Sequence, residues 1–127
     1  MVLNNLFANN DLIGKAMEAT SLRHDAILNN IANVDVPGFQ RGIVEFESYL
    51  ERELSRNGDQ PGNINFNNIR PSIHTSNEHL AHRLDGNNVD IEMEMVGLYQ
   101  NSTRYDVLAN SLMNNYRRIN AAINSNI

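Results

Sequence analysis

A four-three repeat of apolar residues from Ile91 to Ile123 constrains this chain more than any other feature of its sequence. Ile91, Met95, Leu98, Ser102, Tyr105, Ala109, Leu112, Tyr116, Ile119 and Ile123 follow it, and among these Ser102 alone is not apolar. A mean spacing of 3.5 residues held over this length specifies a helix with a continuous seam on one side, of the coiled-coil kind. At 1.5 Å per residue such a helix reaches roughly 50 Å. Asn87 or Asn88 is placed to cap it. Asp90, Glu92 and Glu94 suit the positive end of its dipole, with Arg117 and Arg118 toward the other end.

A second stripe lies near the start of the chain. Ile13, Met17, Thr20, His24, Ile27, Ile31 and Val34 recur at steps of four and three, and Ala16, Ala19 and Ala26 widen that face. This is helix periodicity with a narrower apolar stripe. Asp11 is read as the cap, Asn33 tolerates the left-handed geometry of a helix end, and Pro37 stops the helix. Between the two stripes lie all three prolines. There Ile43, Phe46, Leu50 and Leu54 predict a short amphipathic helix near 43–55. Residues 56–68 read as an Asn-, Gly- and Pro-rich surface loop, and 69–84 as a short strand or an irregular connector. The chain thus divides into an N-terminal coiled-coil helix (1–36), a loop-rich middle (37–86) and a C-terminal coiled-coil helix (87–127).

Two helices with apolar seams at opposite ends of a short chain are best paired antiparallel within one subunit. The expected fold is all-α: a hairpin of two long helices, packed as an antiparallel coiled coil, with a small irregular region outside. The N-terminal stripe is the weaker one, being Ala-rich and interrupted by Thr20, Arg23 and His24. Val107, Leu108 and Met113 lie off the main seam, and one partner helix does not cover them all. Packing between copies buries the remainder, and head-to-tail repetition of such contacts generates rings or helical tubes. The residues alone also accommodate a self-contained bundle of two or three helices.

Composition narrows the function classes. Ten Lys and Arg, spread along the chain, stand against fifteen Asp and Glu, so no basic stripe is available for nucleic acid. The absence of Cys removes thiol nucleophiles, disulfides and Cys-ligated metals. No apolar run approaches the ~20 residues that span a bilayer. The first basic residue is Lys15, so residues 1–10 do not read as a secretory signal peptide. Asn supplies 22 of the 127 residues, which is read as compositional bias without a structural role.

The segment Asn30-Ile31-Ala32-Asn33-Val34-Asp35-Val36-Pro37-Gly38-Phe39 resembles the Ala-Asn-x-x-Thr-Pro-Gly-Tyr/Phe motif of flagellar rod and hook proteins. Ala32, Asn33, Pro37, Gly38 and Phe39 match, and Val36 stands for the usual Thr; both are β-branched and suit the extended conformation required before proline. Pro37-Gly38 fits the centre of a type II turn, with Gly supplying the positive φ and Phe39 folding back on the helix end. A second segment, Asp85-Gly86-Asn87-Asn88-Val89-Asp90, resembles the one that opens the C-terminal helix in the proximal rod family of the bacterial flagellar basal body. The resemblance covers both helical ends and the short helix holding Phe46 and Leu50, but not the 56–68 loop.

The resemblance implies a structural subunit without enzymatic activity and without cofactors. Members of that family are exported unfolded, with no cleaved signal peptide, through the flagellar type III apparatus. Their terminal helices form the inner layer of a hollow shaft in the periplasm that transmits torque and lines the export channel. The implied partners are copies of itself, other rod proteins, the basal-body adaptor at the membrane ring and export gate, and the export apparatus; neither nucleic acid nor a small-molecule substrate is among them. The assembly seam is then Ile13, Met17, Ile27 and Ile31 together with Ile91, Met95, Leu98, Tyr105, Ala109, Leu112, Tyr116, Ile119 and Ile123. Alternatives are another flagellar rod protein, or a non-flagellar helical adaptor or export chaperone.

Competing chemistry is thin. His74, His79 and His82 offer imidazoles, yet no HExxH pattern accompanies them, and catalytic zinc needs three ligands with second-shell support. Asp90, Glu92 and Glu94 are two apart and do not face one another on a helix. No phosphate-binding glycine loop or nucleophile elbow is present.

Overall fold

The computed structural model describes residues 2–56, 66, 69–76 and 84–124, with backbone only for 2–7. The first helix, α1 (Val2–Ala32), is 31 residues long. It runs straight through Asp11, which therefore does not cap it: no Pro or Gly interrupts the chain before Gly14, so nothing ends the helix on that side. It stops where expected. The Asn33 N–H reaches back to both Asn29 O and Asn30 O, and the Val34 N–H donates to Ile31 O, a tightening last turn ahead of Pro37.

The middle departs from the all-α expectation. Strand β1 (Gly42–Glu45) pairs antiparallel with β2 (Ser72–Thr75), setting Ile43 opposite His74 and Val44 opposite Ile73. Ile43 therefore sits in a strand, and the short helix α2 covers Glu47–Arg56 instead of beginning near 43. The adjacent β-branched pair Ile43-Val44 favours the pleated backbone. Phe46, at the junction, is buried and its carbonyl accepts from the Leu50 N–H as the first turn of α2 forms. Together with Ala19 of α1 and Ile69 it makes a small apolar core, against which Tyr49, Leu50, Leu54 and Phe66 pack. The apolar core thus lies between α1 and the middle region.

The last helix, α3 (Ile91–Asn124), has 34 residues, and its length matches the roughly 50 Å expected. Asp90 is its cap: Oδ1 accepts from the N–H groups of Glu92 (2.9 Å) and Met93 (3.2 Å), in place of the role assigned to Asn87 or Asn88. Asn30 bonds Glu94, Thr20 bonds Asn101 and Asn10 bonds Asn115. Residue numbers fall along α1 as they rise along α3, so the helices lie side by side in opposite directions. The result is a mainly helical hairpin with a two-stranded sheet and a short helix on one side.

Candidate functional site

The two segments singled out in the sequence, some fifty residues apart, form one clasp at the closed end of the hairpin. After α1 the chain turns at Val36-Pro37-Gly38-Phe39, with the Phe39 N–H donating to Val36 O (3.2 Å) and Gly38 at φ +73°. This is the type II turn the sequence predicts. Asn87 is completely buried beneath it. Its Nδ2 donates to the carbonyls of Asn33 (3.0 Å), Val34 (2.9 Å) and Val36 (2.9 Å), groups that the end of α1 leaves without helical partners. Its Oδ1 accepts from the N–H of buried Val89 (2.8 Å), starting the approach to α3.

Backbone closes the clasp from both sides. The Gly38 N–H donates to Asp85 O (2.9 Å), and Gln40 Nε2 donates to Gly86 O (2.9 Å). Asp85 Oδ1 accepts from the Asn87 N–H (3.1 Å), and Asn88 Oδ1 accepts from the Arg41 N–H (2.6 Å). Gly86 has φ +79°, a region that L side chains rarely enter. Of the turn residues, Ala32 closes α1 and is exposed, as is Pro37, while Asn33 and Phe39 are half-buried.

One turn into α3 a buried ionic group extends the clasp. The Glu94 carboxylate, fully enclosed, accepts from Arg41 Nε and from Asn30 Nδ2 (3.2 Å). Asn30 also pairs with both backbone groups of Gly42: Oδ1 accepts its N–H (2.8 Å) and Nδ2 donates to its carbonyl (2.9 Å). One amide side chain thus aligns the first residue of β1 against α1. Further along, Asn101 Nδ2 donates to Thr20 O (2.8 Å) and Asn115 Nδ2 to Asn10 Oδ1 (3.0 Å). Asn101 Oδ1 is buried and has no partner among the described residues. Such an orphaned acceptor costs about 1–3 kcal/mol.

The face that α3 turns to α1 therefore differs from the apolar seam. Its buried residues are Glu94, Asn101 and Asn115, all polar. Residues 94, 98, 101, 105, 108, 112, 115 and 119 also step by four and three, sharing Leu98, Tyr105, Leu112 and Ile119 with the apolar repeat. The inward face is turned from the apolar one by about half a residue step, ~50°. Of the residues assigned to the seam, Ile13 and Ile27 are buried on α1, and Met17 and Ile31 are half-buried there. On α3, Leu98, Ala109, Leu112 and Ile119 are half-buried, whereas Ile91, Met95, Tyr105, Tyr116 and Ile123 are exposed. Met93, Val96, Tyr99, Val107 and Met113 are exposed on the same helix.

Asn30, Arg41, Asn101 and Asn115 are not legible in the sequence as structural residues, and Glu94 reads there only as a complement to the helix dipole, not as a buried partner of Arg41 and Asn30. Asn101 and Asn115, two heptads apart at equivalent positions, carried a usable signal, because a buried Asn is a known device for fixing helix register. Reading the Asn content as compositional bias overlooked it.

Glu47 ties three elements at the edge of the clasp. Arg23 Nη2 donates to its carboxylate (2.8 and 3.0 Å), and Arg104 of α3 approaches within 3.8 Å. Partial burial works to raise its pKa, but the N–H at the start of α2 and the Arg23 guanidinium outweigh it and hold the carboxyl below its usual range. His74 is engaged with Ser72 Oγ (2.7 Å) and stacks on Tyr49 (6.5 Å between ring centroids). His79 and His82 lie outside the described residues, and among the described ones no group of three metal-ligating side chains comes together. No described helix is long and apolar enough to cross a membrane.

The site as described is a structural one: a polar clasp that fixes two helices and leaves an apolar flank outside. A family model described as "Flagella basal body rod protein" matches residues 14–40, which include most of α1 and the Pro-Gly turn. The chain is 34% identical to the flagellar basal body rod protein FlgB of Borrelia hermsii, over 89% of this chain and 93% of that one. It is 29% identical to the FlgB of Bacillus subtilis (strain 168), over 87% and 83%. Similarity to the flagellar hook protein FlgE of Treponema pallidum, at 31% identity, spans 65% of this chain but 20% of the hook protein.

Proposed function

The chain belongs to the FlgB family of flagellar basal body rod proteins, and from that premise we propose that the exposed flank of α3 builds the rod by packing copy against copy. As a member it is a structural subunit of the proximal rod, located in the flagellar basal body alongside other basal-body components. The family is a structural one, not an enzyme family.

The observation that carries the assembly reading is the run of exposed large apolar side chains on α3, including Ile91, Met95, Tyr99, Tyr105, Tyr116 and Ile123. A solitary soluble subunit seldom leaves so much apolar surface uncovered along one element. Removing it from water contributes about 25 cal/mol per Å² of apolar area, which makes association favourable. In the assembled state the paired terminal helices form the coiled-coil wall of a hollow shaft. That wall transmits torque and lines the export channel, with the 37–86 region outward. The subunit reaches the periplasm through the flagellar export apparatus, and its first neighbours are other copies, further rod proteins and the adaptor at the ring and export gate. The clasp residues Ala32, Asn33, Pro37, Gly38 and Phe39, with Asp85, Gly86, Asn87, Val89 and Asp90, act as the hinge pin of each hairpin.

The test introduces Met95→Asp and Tyr116→Asp, both exposed in the single chain, and measures incorporation into isolated basal bodies together with motility. Export continues while incorporation and swimming are lost. Incorporation of the double variant at the wild-type level would refute the reading.

A further inference from the structure

On the flank of the hairpin that faces the middle region, a groove of about 480 Å³ opens between α3 and the start of α2. Ala16 and Ala19 of α1, Phe46, and Val107 and Leu108 of α3 give it an apolar lining. The two alanines stop at a methyl group, which leaves room there for side chains of another helix. Val107 is exposed at its edge. Arg23, Glu47 and Arg104 supply the charges along it. Arg23 bonds Glu47 at 2.8 Å, whereas Arg104 comes no nearer to that carboxylate than 3.8 Å, with 59% of its side chain exposed. So long and wet a contact contributes little. The Arg104 guanidinium is therefore available to another carboxylate.

The opposite flank of α3 carries the matching surface. Of the fourteen large apolar side chains exposed among the described residues, ten lie on this helix, which makes it the main apolar surface to be covered. At 100° per residue, Ile91, Met95, Tyr99 and Met113 fall within roughly 80° of one another and form a ridge. Asp106 stands on the same ridge, exposed and with no ion pair among the described residues. It is the only carboxylate on α3 beyond the first turn. Asp106 and Arg104, two residues apart, lie roughly 160° apart around the helix and do not meet within one chain. Ridge and groove belong to one rigid helix pair and cannot meet within it either. Copies set side by side in one orientation bring the two flanks together.

We propose that the groove receives the α3 ridge of a second copy of this chain, with that copy's Asp106 paired to Arg104, a contact that rests on the rod-subunit reading above. Burial of the apolar side chains drives the association, and the opposite charges fix where along the axis the ridge seats. Because the paired residues are two apart in sequence, neighbouring copies lie nearly level, offset by about 3 Å along the helix. Ridge and groove are different surfaces. Each copy therefore offers one to the next, and the contact repeats without closing on a pair.

Cross-linking in the intact basal body tests this. The chain has no cysteine, so Gln100→Cys and Ser102→Cys introduce the only two thiols. Both positions are exposed, one turn before Arg104 and Asp106 on their respective flanks, and within one chain they point apart. Oxidation of basal bodies carrying both substitutions yields a ladder of linked copies, while neither single-cysteine chain links. Separately, Arg104→Asp and Asp106→Arg each reduce incorporation on the order of tenfold, and combining them in one chain restores most of it. Two residues that cannot face each other in one chain compensate only across copies. A photo-reactive residue in place of Val107 captures a second copy. Capture of a different basal-body protein in its stead would overturn the occupant. Absence of the ladder would overturn the contact whatever the charge variants do, while leaving the rod reading intact. Linking by the Ser102→Cys chain alone would show ridge meeting ridge and overturn the one-way arrangement. Absence of the wild-type chain from the basal body would overturn both readings.

Discussion

Helix α1 buries Ile13, Ala19, Ala26 and Ile27, whereas α3, although its apolar repeat is the more regular of the two, buries Glu94, Asn101 and Asn115. The difference follows from what each helix packs against. α1 is covered on one side by the middle region, whose Phe46 and Ile69 complete an apolar core around Ala19. α3 meets α1 along a line where hydrogen bonds between defined atoms set the register: Asn115 to Asn10, Asn101 to Thr20, Glu94 to Asn30. Polar ties specify alignment while contributing modest net stability, about 1 kcal/mol each. They leave the apolar side chains of α3 free to face outward. One helix is built into the subunit; the other is presented by it.

That contrast breaks most readily at the clasp. Asn87→Ala removes the buried amide that donates to the carbonyls of Asn33, Val34 and Val36 and accepts from the Val89 N–H. It destabilises the subunit by about 3 kcal/mol or more, read as a fall in the urea midpoint of the circular dichroism signal. The next test sets the helices against each other. Ile27→Ala opens a cavity beside α1 and lowers stability by about 2–4 kcal/mol. Tyr116→Ala, at an exposed α3 position, changes the isolated subunit by less than about 0.5 kcal/mol yet weakens self-association, seen by sedimentation. Equal losses in the isolated subunit would erase the distinction.

Asn101→Leu is a sharper probe. It removes one hydrogen bond to Thr20 but also the orphaned Oδ1, so the two effects offset and thermal stability shifts by less than about 1 kcal/mol. The smallest effect concerns Glu47. Its folded pKa lies below the ordinary value of 4.5, so its contribution is complete above that pH and is lost as pH falls through the lower folded value. Wild type and Glu47→Gln therefore differ in stability near neutral pH and converge in acid, by amounts reduced because Glu47 is largely exposed.

Sequence periodicity located both long helices, and the Pro-Gly pair located the turn, since these depend on spacing and on backbone geometry imposed by single residues. The error at Ile43 arose because Ile43, Phe46, Leu50 and Leu54 fit a helical stripe while the actual choice rested on a partner strand about thirty residues away. Asp11 was assigned as a cap on local chemistry, but a helix continues wherever nothing stops it. The link between the two motifs was invisible for a related reason: Asn87 looks like any helix-capping residue until the carbonyls of Asn33, Val34 and Val36 are placed over it.

By itself, the order of residues determined that two long helices form, where the first one ends, and that α3 carries more apolar surface than a single short partner covers. Those outcomes are local, set by side-chain spacing and by φ restrictions within a few residues. Only the tertiary structure decided which side of α3 turns inward. The two four-three registers on that helix share every second position, and hydrophobicity favours one of them. The other prevails because Asn30, Thr20 and Asn10 stand where Glu94, Asn101 and Asn115 can bond them, a match that exists only once the hairpin has closed.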